Sequence, residues 1–90
     1  MANHKSAIKR WRQNEKRRVR NRHWKSNMRS VIKTVREAVS NNEIEVAKVA
    51  LVDATSMISH VASKGVIHKR TASRRISRLS LLVNKMQMEA

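Results

Sequence analysis

The sequence has no cysteine, no proline, no tyrosine and no phenylalanine, and its 90 residues include one glycine and two tryptophans. Without cysteine there is neither a disulfide framework nor a thiolate metal site, and the redox compartment is left open. Without proline, and with a single glycine and no small aromatic rings, the chain has little vocabulary for turns or sheets. Two tryptophans are too few for the aromatic platforms on which single-stranded bases stack, so any nucleic acid is expected to be met through phosphates and shape. No stretch approaches the roughly 18 consecutive apolar residues of a membrane span. The opening Met1-Ala2-Asn3-His4-Lys5 has no apolar run behind it, so no secretory signal is expected. It is Arg-rich and acid-poor, but Lys and Arg continue through the whole chain, so it does not read as a removable tag, and the expected location is cytoplasmic. His4, His23, His60 and His68 never pair at helical spacing, and no carboxylate cluster joins them, so no metal or cofactor is expected. With so few residues to wall a pocket, neither an enzyme nor a small-molecule site is expected.

What is present is helix and positive charge. Ala, Val, Ile, Leu, Met, Lys, Arg and Glu dominate, and most of these tolerate or favour helix, so the fold is expected to be all-α. Three apolar ladders follow one another. The first is Trp24, Met28, Val31, Val35 and Ala38, with Ile32 and Val39 beside it; the second is Ile44, Ala47, Leu51, Ala54, Ile58 and Val61; the third is Ala72, Ile76, Leu79, Val83 and Met86. Alternating steps of three and four put each ladder on one helix face. Between the first two, Ser40-Asn41-Asn42-Glu43 is rich in N-capping residues, and Glu45 stands in capping-box register with Asn42. Between the last two, Lys64-Gly65 places the one glycine where a left-handed residue ends a helix. The reading is an antiparallel three-helix bundle with helices over about 6–40, 43–63 and 68–88. At 1.5 Å per residue the second helix, roughly 30 Å long, runs back along the first only to about residue 20. Residues 1–90 thus form one domain, with 1–20 a basic overhanging arm and 21–90 the bundle.

Charge divides the chain in three. Residues 1–36 hold thirteen Lys and Arg and one acid, 37–63 hold one Lys and four acids, and 64–90 hold seven Lys and Arg and one acid. The total, +15, repels itself and calls for a polyanion. In the arm, Lys5, Lys9, Arg12, Lys16 and Arg20 form one stripe, while Arg10, Arg17, Arg18 and Arg22 occupy other faces. A charge run is usually a solvated face, but such a face interleaves signs, and this one holds a single acid, Glu15. An arm cationic all round suits a groove walled by phosphates, and free of RNA it is expected to fray. In the third helix Arg70, Arg74 and Arg78 share one face, with Arg75 and Lys85 flanking and Ser73, Ser77 and Ser80 interleaved. Trp24 continues an apolar ladder and reads as core; Trp11, beside Ile8 in the arm, is left between base contact and local packing. His68 is left between contacting phosphate and capping the third helix.

The residues also carry a resemblance. Ala2-Asn3-His4-Lys5-Ser6-Ala7-Ile8-Lys9-Arg10 and Arg12-Gln13-Asn14-Glu15-Lys16-Arg17-Arg18 closely resemble the start of the bacterial small-subunit ribosomal protein S-twenty family. So do Lys25-Ser26, Met28-Arg29, Ile32-Lys33-Thr34-Val35-Arg36, and Lys64-Gly65-Val66-Ile67-His68-Lys69 leading to Ala72, Arg74, Arg75, Ser77, Arg78 and Leu79. The resemblance spans essentially the whole chain. It implies a structural protein of the 30S subunit that binds the 5′ domain of 16S rRNA directly, near the 3′ minor domain, and supports assembly. The partners it implies are 16S rRNA and other 30S components, with no membrane, small molecule or homo-oligomer. Carried onto this chain, the contacts are Asn3, His4, Lys5, Ser6, Lys9, Arg10, Arg12, Gln13, Lys16, Arg17, Arg18, Arg20 and Arg22 in the arm. Lys25, Arg29 and Lys33 continue them, and Lys64, His68, Lys69, Arg70, Arg74, Arg75, Ser77 and Arg78 complete the set. Arg70 stands where the family usually has Asn, Ser73 where it often has Ala, and Trp11 and Trp24 are bulkier than the family residues.

Two other functions fit the composition less well. A DNA-compacting protein would bring a minor-groove wedge or a short recognition helix, and the sequence has neither. A membrane-active cationic peptide needs a wide apolar face, whereas residues 5 to 22 offer Ala7, Ile8, Trp11 and Val19.

Overall fold

A computed structural model describes the backbone of residues 2–89 and the side chains of residues 5–89. Three helices follow one another: α1 Ala2–Ser40, α2 Ile44–Ser63 and α3 Lys69–Glu89, with no strand among the described residues. α1 begins earlier than about residue 6, because no proline or glycine interrupts the run from Ala2 to Ser40. The molecule is a rod, 68 × 21 × 14 Å along its principal axes. At 1.5 Å per residue α1 alone is roughly 58 Å long and sets that length.

The three ladders meet in one core. α1 contributes Met28, Ile32, Val35 and Ala38; α2 contributes Ala47, Ala50, Ala54, Ile58 and Val61; α3 contributes Ala72, Leu79, Val83 and Met86. Val35, Ile58 and Val61 are wholly buried and Val83 nearly so, while no charged or polar residue is buried among the described residues. Ile44, Leu51 and Ile76 differ from expectation in being only partly buried, and Ala50 takes a core position instead. The cause is the closeness of the helices. Small residues let backbones approach, so the alanines of α2 lie on the line of contact and the larger Leu51 is pushed to its edge. Trp24 packs against the core as expected, with its ring 4.9 Å from that of His60 in an edge-to-face contact. The end of α2 therefore lies level with Trp24.

Both turns use one device. Asn42 has φ +57, Glu43 N–H donates to the Ala38 carbonyl at 3.0 Å, and Asn42 N–H donates to Val39 at 3.1 Å. Gly65 has φ +76, Val66 N–H donates to Val61 at 3.3 Å, and Gly65 N–H donates to Ala62 at 3.0 Å. Each is a Schellman closure around one left-handed residue. The expected capping box at α2 does not form: Asn42 is spent in ending α1, and Glu43, the N-cap, makes no side-chain cap hydrogen bond. At α3 the cap is a histidine. The Arg70 N–H donates to His68 Nδ1 at 3.1 Å, and the Ala72 N–H donates to the His68 carbonyl at 3.0 Å.

Candidate nucleic-acid interface

Beyond the core, α1 continues as a lone helix. Lys5, Ser6, Lys9, Arg10, Arg12, Gln13, Lys16, Arg17, Arg18, Arg20 and Arg22 are all exposed. Trp11 is 64% exposed and stacks on no ring among the described residues. Glu15, half-buried, accepts a 2.8 Å hydrogen bond from Arg18. The other exposed ion pairs are Lys33–Glu37 at 3.8 Å and Lys48–Glu45 at 3.7 Å. Such pairs contribute roughly 0–1 kcal/mol each and leave most of the cations without an acid beside them. The side chains of Asn3 and His4, both expected to contact RNA, lie outside the described residues.

The cations sort into two bands. Lys5, Lys9, Arg12, Lys16 and Arg20 run along one side of the arm, as their four- and three-residue steps require. On the opposite side, Arg17, Arg18, Arg22, Lys25 and Arg29 line a shallow groove with Asn14, Asn21 and Ser26. The Asn21 Oδ1 atom there is buried without a hydrogen-bond partner. Arg29 also borders the next hollow, with Lys33, Arg36 and Arg75. Arg36 and Arg75 then border a third, a cleft of about 490 Å³ between α1 and α3, with Arg74 and Arg78. Each hollow shares a residue with the next, so the second band runs unbroken from the arm onto α3. Glu37, paired with Lys33, is the one carboxylate among the described residues lining these three hollows.

Arg36 stands outside the set of contacts expected from sequence, yet it brings the two helices' charges together. The signal was present as the run Arg29, Lys33, Arg36 at steps of four and three, but a single-helix pattern does not show which neighbour it will face. Ser77 is exposed on α3, and Lys64, His68, Lys69 and Arg70 gather at the α2–α3 turn and the start of α3. Lys85 sits apart, in a hollow with Val39, Asn42, Ile44 and Glu89 near the α1–α2 turn.

The sequence has close relatives. Residues 2–84 match the family described as Ribosomal protein S20. The chain is 55% identical over 86 residues to the small ribosomal subunit protein bS20 of Syntrophobacter fumaroxidans, covering 96% of this chain and 100% of that one. It is 57% identical to the protein of the same name from Trichlorobacter lovleyi, over 96% of this chain and 99% of that one. The chain belongs to the ribosomal protein S20 family. Members of this family are structural proteins of the small ribosomal subunit in the bacterial cytoplasm, and the family is not one of enzymes.

Proposed function

We propose that this chain is a scaffold of the 30S subunit that binds 16S rRNA directly, in the 5′ domain and near the 3′ minor domain, and supports assembly alongside other 30S components. The observation that carries this is the unbroken band of cations from Arg17 on the arm to Arg78 on α3, with one already paired acid along it. RNA segments repel one another, and a rod with cations on two opposite sides of its arm lowers the cost of holding them together. The working division is a basic arm over residues 1–20 and a bundle over 21–90 within a single rRNA-binding domain. The residues assigned to contact are those read from the sequence, together with Arg36.

The test is binding of the protein to the isolated 5′ domain of 16S rRNA across a salt series, with duplex DNA as competitor. Tight binding that survives excess DNA at physiological salt is the expected result. Binding that DNA abolishes equally well would mean that charge alone is at work and would favour an architectural DNA-binding role.

A further inference from the structure

We infer that the cleft formed by Arg36 of α1 with Arg74, Arg75 and Arg78 of α3 is the specificity-determining site. It seats the phosphodiester backbone of folded RNA and rejects polyanions of other shape, while the arm contributes charge without discrimination. This rests on the rRNA-binding reading and assigns its selectivity to one place.

Selectivity for shape requires charges at a fixed spacing. The arm does not provide it: its cations share one helix, and no residue from 5 to 20 belongs to the core or packs against it. Any polyanion can collect such cations by releasing counterions. The cleft is built differently. Its four arginines come from two helices whose separation is set by Val35 and Val83, 0% and 1% exposed, and by Ile32 and Leu79, which form its floor. Its lining includes no carboxylate, so four arginines border one cleft with no acid among them. An apolar floor holds their stems, and their planar forks match phosphate oxygens two at a time. Thr71, half-buried in the same wall, adds a hydroxyl able to bond a phosphate oxygen or a ribose 2′-OH. Two phosphates satisfied from opposite walls report the distance between them, and that distance differs between RNA folds and a DNA duplex.

Exchange of arginine for lysine separates geometry from charge, because lysine keeps the charge and loses the fork. The cleft variant is Arg36→Lys with Arg75→Lys, and the matched arm variant is Arg12→Lys with Arg20→Lys. Dissociation constants are measured for the 5′ domain of 16S rRNA and for a duplex DNA of mixed sequence, across a salt series, with thermal melting of each variant as a folding control. For the cleft variant, RNA binding is expected to weaken about tenfold, the loss of roughly one bidentate contact, with DNA binding and salt slope unchanged. The arm variant is expected to weaken RNA and DNA binding in equal proportion and so keep the parent's preference between them. The inference is overturned if the cleft variant binds RNA as the parent does, if it loses RNA and DNA equally, or if the arm variant shows the selective loss. Should the cleft pair melt early, Arg78→Lys alone is read against the same outcomes. A parent that shows no preference for RNA over DNA fails the rRNA-binding reading itself, a result distinct from any of these.

Discussion

Residues 5–22 and residues 44–63 are both unbroken helix of nearly equal length, and almost nothing else about them agrees. The first segment carries nine cations and one acid, and only Glu15 and Asn21 in it are even half-buried. The second carries one lysine and two acids and buries Ala47, Ala50, Ala54, Ile58 and Val61. An isolated helix of this length is marginal in water, because nucleation is costly and propagation returns little per residue. α2 stands because its apolar face is buried between two neighbours; the arm has no such support and is completed by whatever neutralises it. The molecule thus separates the residues that stabilise it from the cations proposed to bind RNA, and the two sets share few members.

The largest expected effect breaks the side of the comparison that packing holds. Ile58→Ala should cost about 2–5 kcal/mol of unfolding free energy, since Ile58 is 0% exposed and its loss leaves a cavity. The same change at Ile8, 50% exposed on the arm, should cost less than about 0.5 kcal/mol. Denaturant melts of both variants check this. An equal loss at the two positions would mean that the arm packs in solution against something other than solvent.

The next effect falls on the arm alone. Replacing Lys9, Arg12 and Lys16 with Ala should lower the slope of log affinity against log salt for rRNA by roughly 2 to 3, at about 0.7–0.9 per phosphate contact. The bundle should melt at an unchanged or higher temperature, because the change removes repulsion from a chain of net charge +15. An unchanged slope would show that this stripe faces no phosphate.

Much of this contrast was legible in the sequence, for identifiable reasons. Ladders of Val, Ile and Leu and the three-way split of charge follow from helical periodicity, which acts within one element. What depended on how elements meet was not legible. Leu51 looked like core because it is large and in step, whereas the contact between helices runs through Ala47, Ala50 and Ala54. Arg36 looked like one more surface cation until α3 brought Arg74, Arg75 and Arg78 to the same cleft. Asn42 read as the N-cap of α2, whereas its left-handed backbone assigns it to the end of α1. Leu51→Ala is accordingly expected to cost less than Ile58→Ala, in the range of about 1–2 kcal/mol for a half-buried aliphatic side chain.

A smaller effect tests the turns that set where the bundle stops. Gly65→Ala meets no atom within 4 Å of the added Cβ, so its cost is conformational, about 1 kcal/mol for an L-residue at φ +76. At Asn42 the same backbone geometry is already held by a side-chain-bearing residue, so Asn42→Gly should raise stability by up to about 1 kcal/mol. Thermal melts that leave both variants unchanged would mean that neither left-handed residue limits stability.

The smallest effect sits where the two regimes meet. His68 lies at the start of α3, beside Lys69 and Arg70, and its Nδ1 accepts the Arg70 N–H at 3.1 Å. That bond serves the bundle, whereas the exposed imidazole belongs to the surface proposed to meet RNA. His68→Ala removes both and should cost about 0.5–1 kcal/mol of stability, the worth of a modest N-cap. His68→Ser separates the roles, because a serine hydroxyl caps the same helix without reaching as far as a ring. If His68→Ser restores both the melting temperature and the rRNA affinity lost in His68→Ala, the histidine acts by holding the first turn of α3 in place and so aiming Arg70 and Arg74. If it restores the melting temperature but not the affinity, the ring itself touches RNA, and the boundary between the packed and the charged halves of the molecule runs through this one side chain.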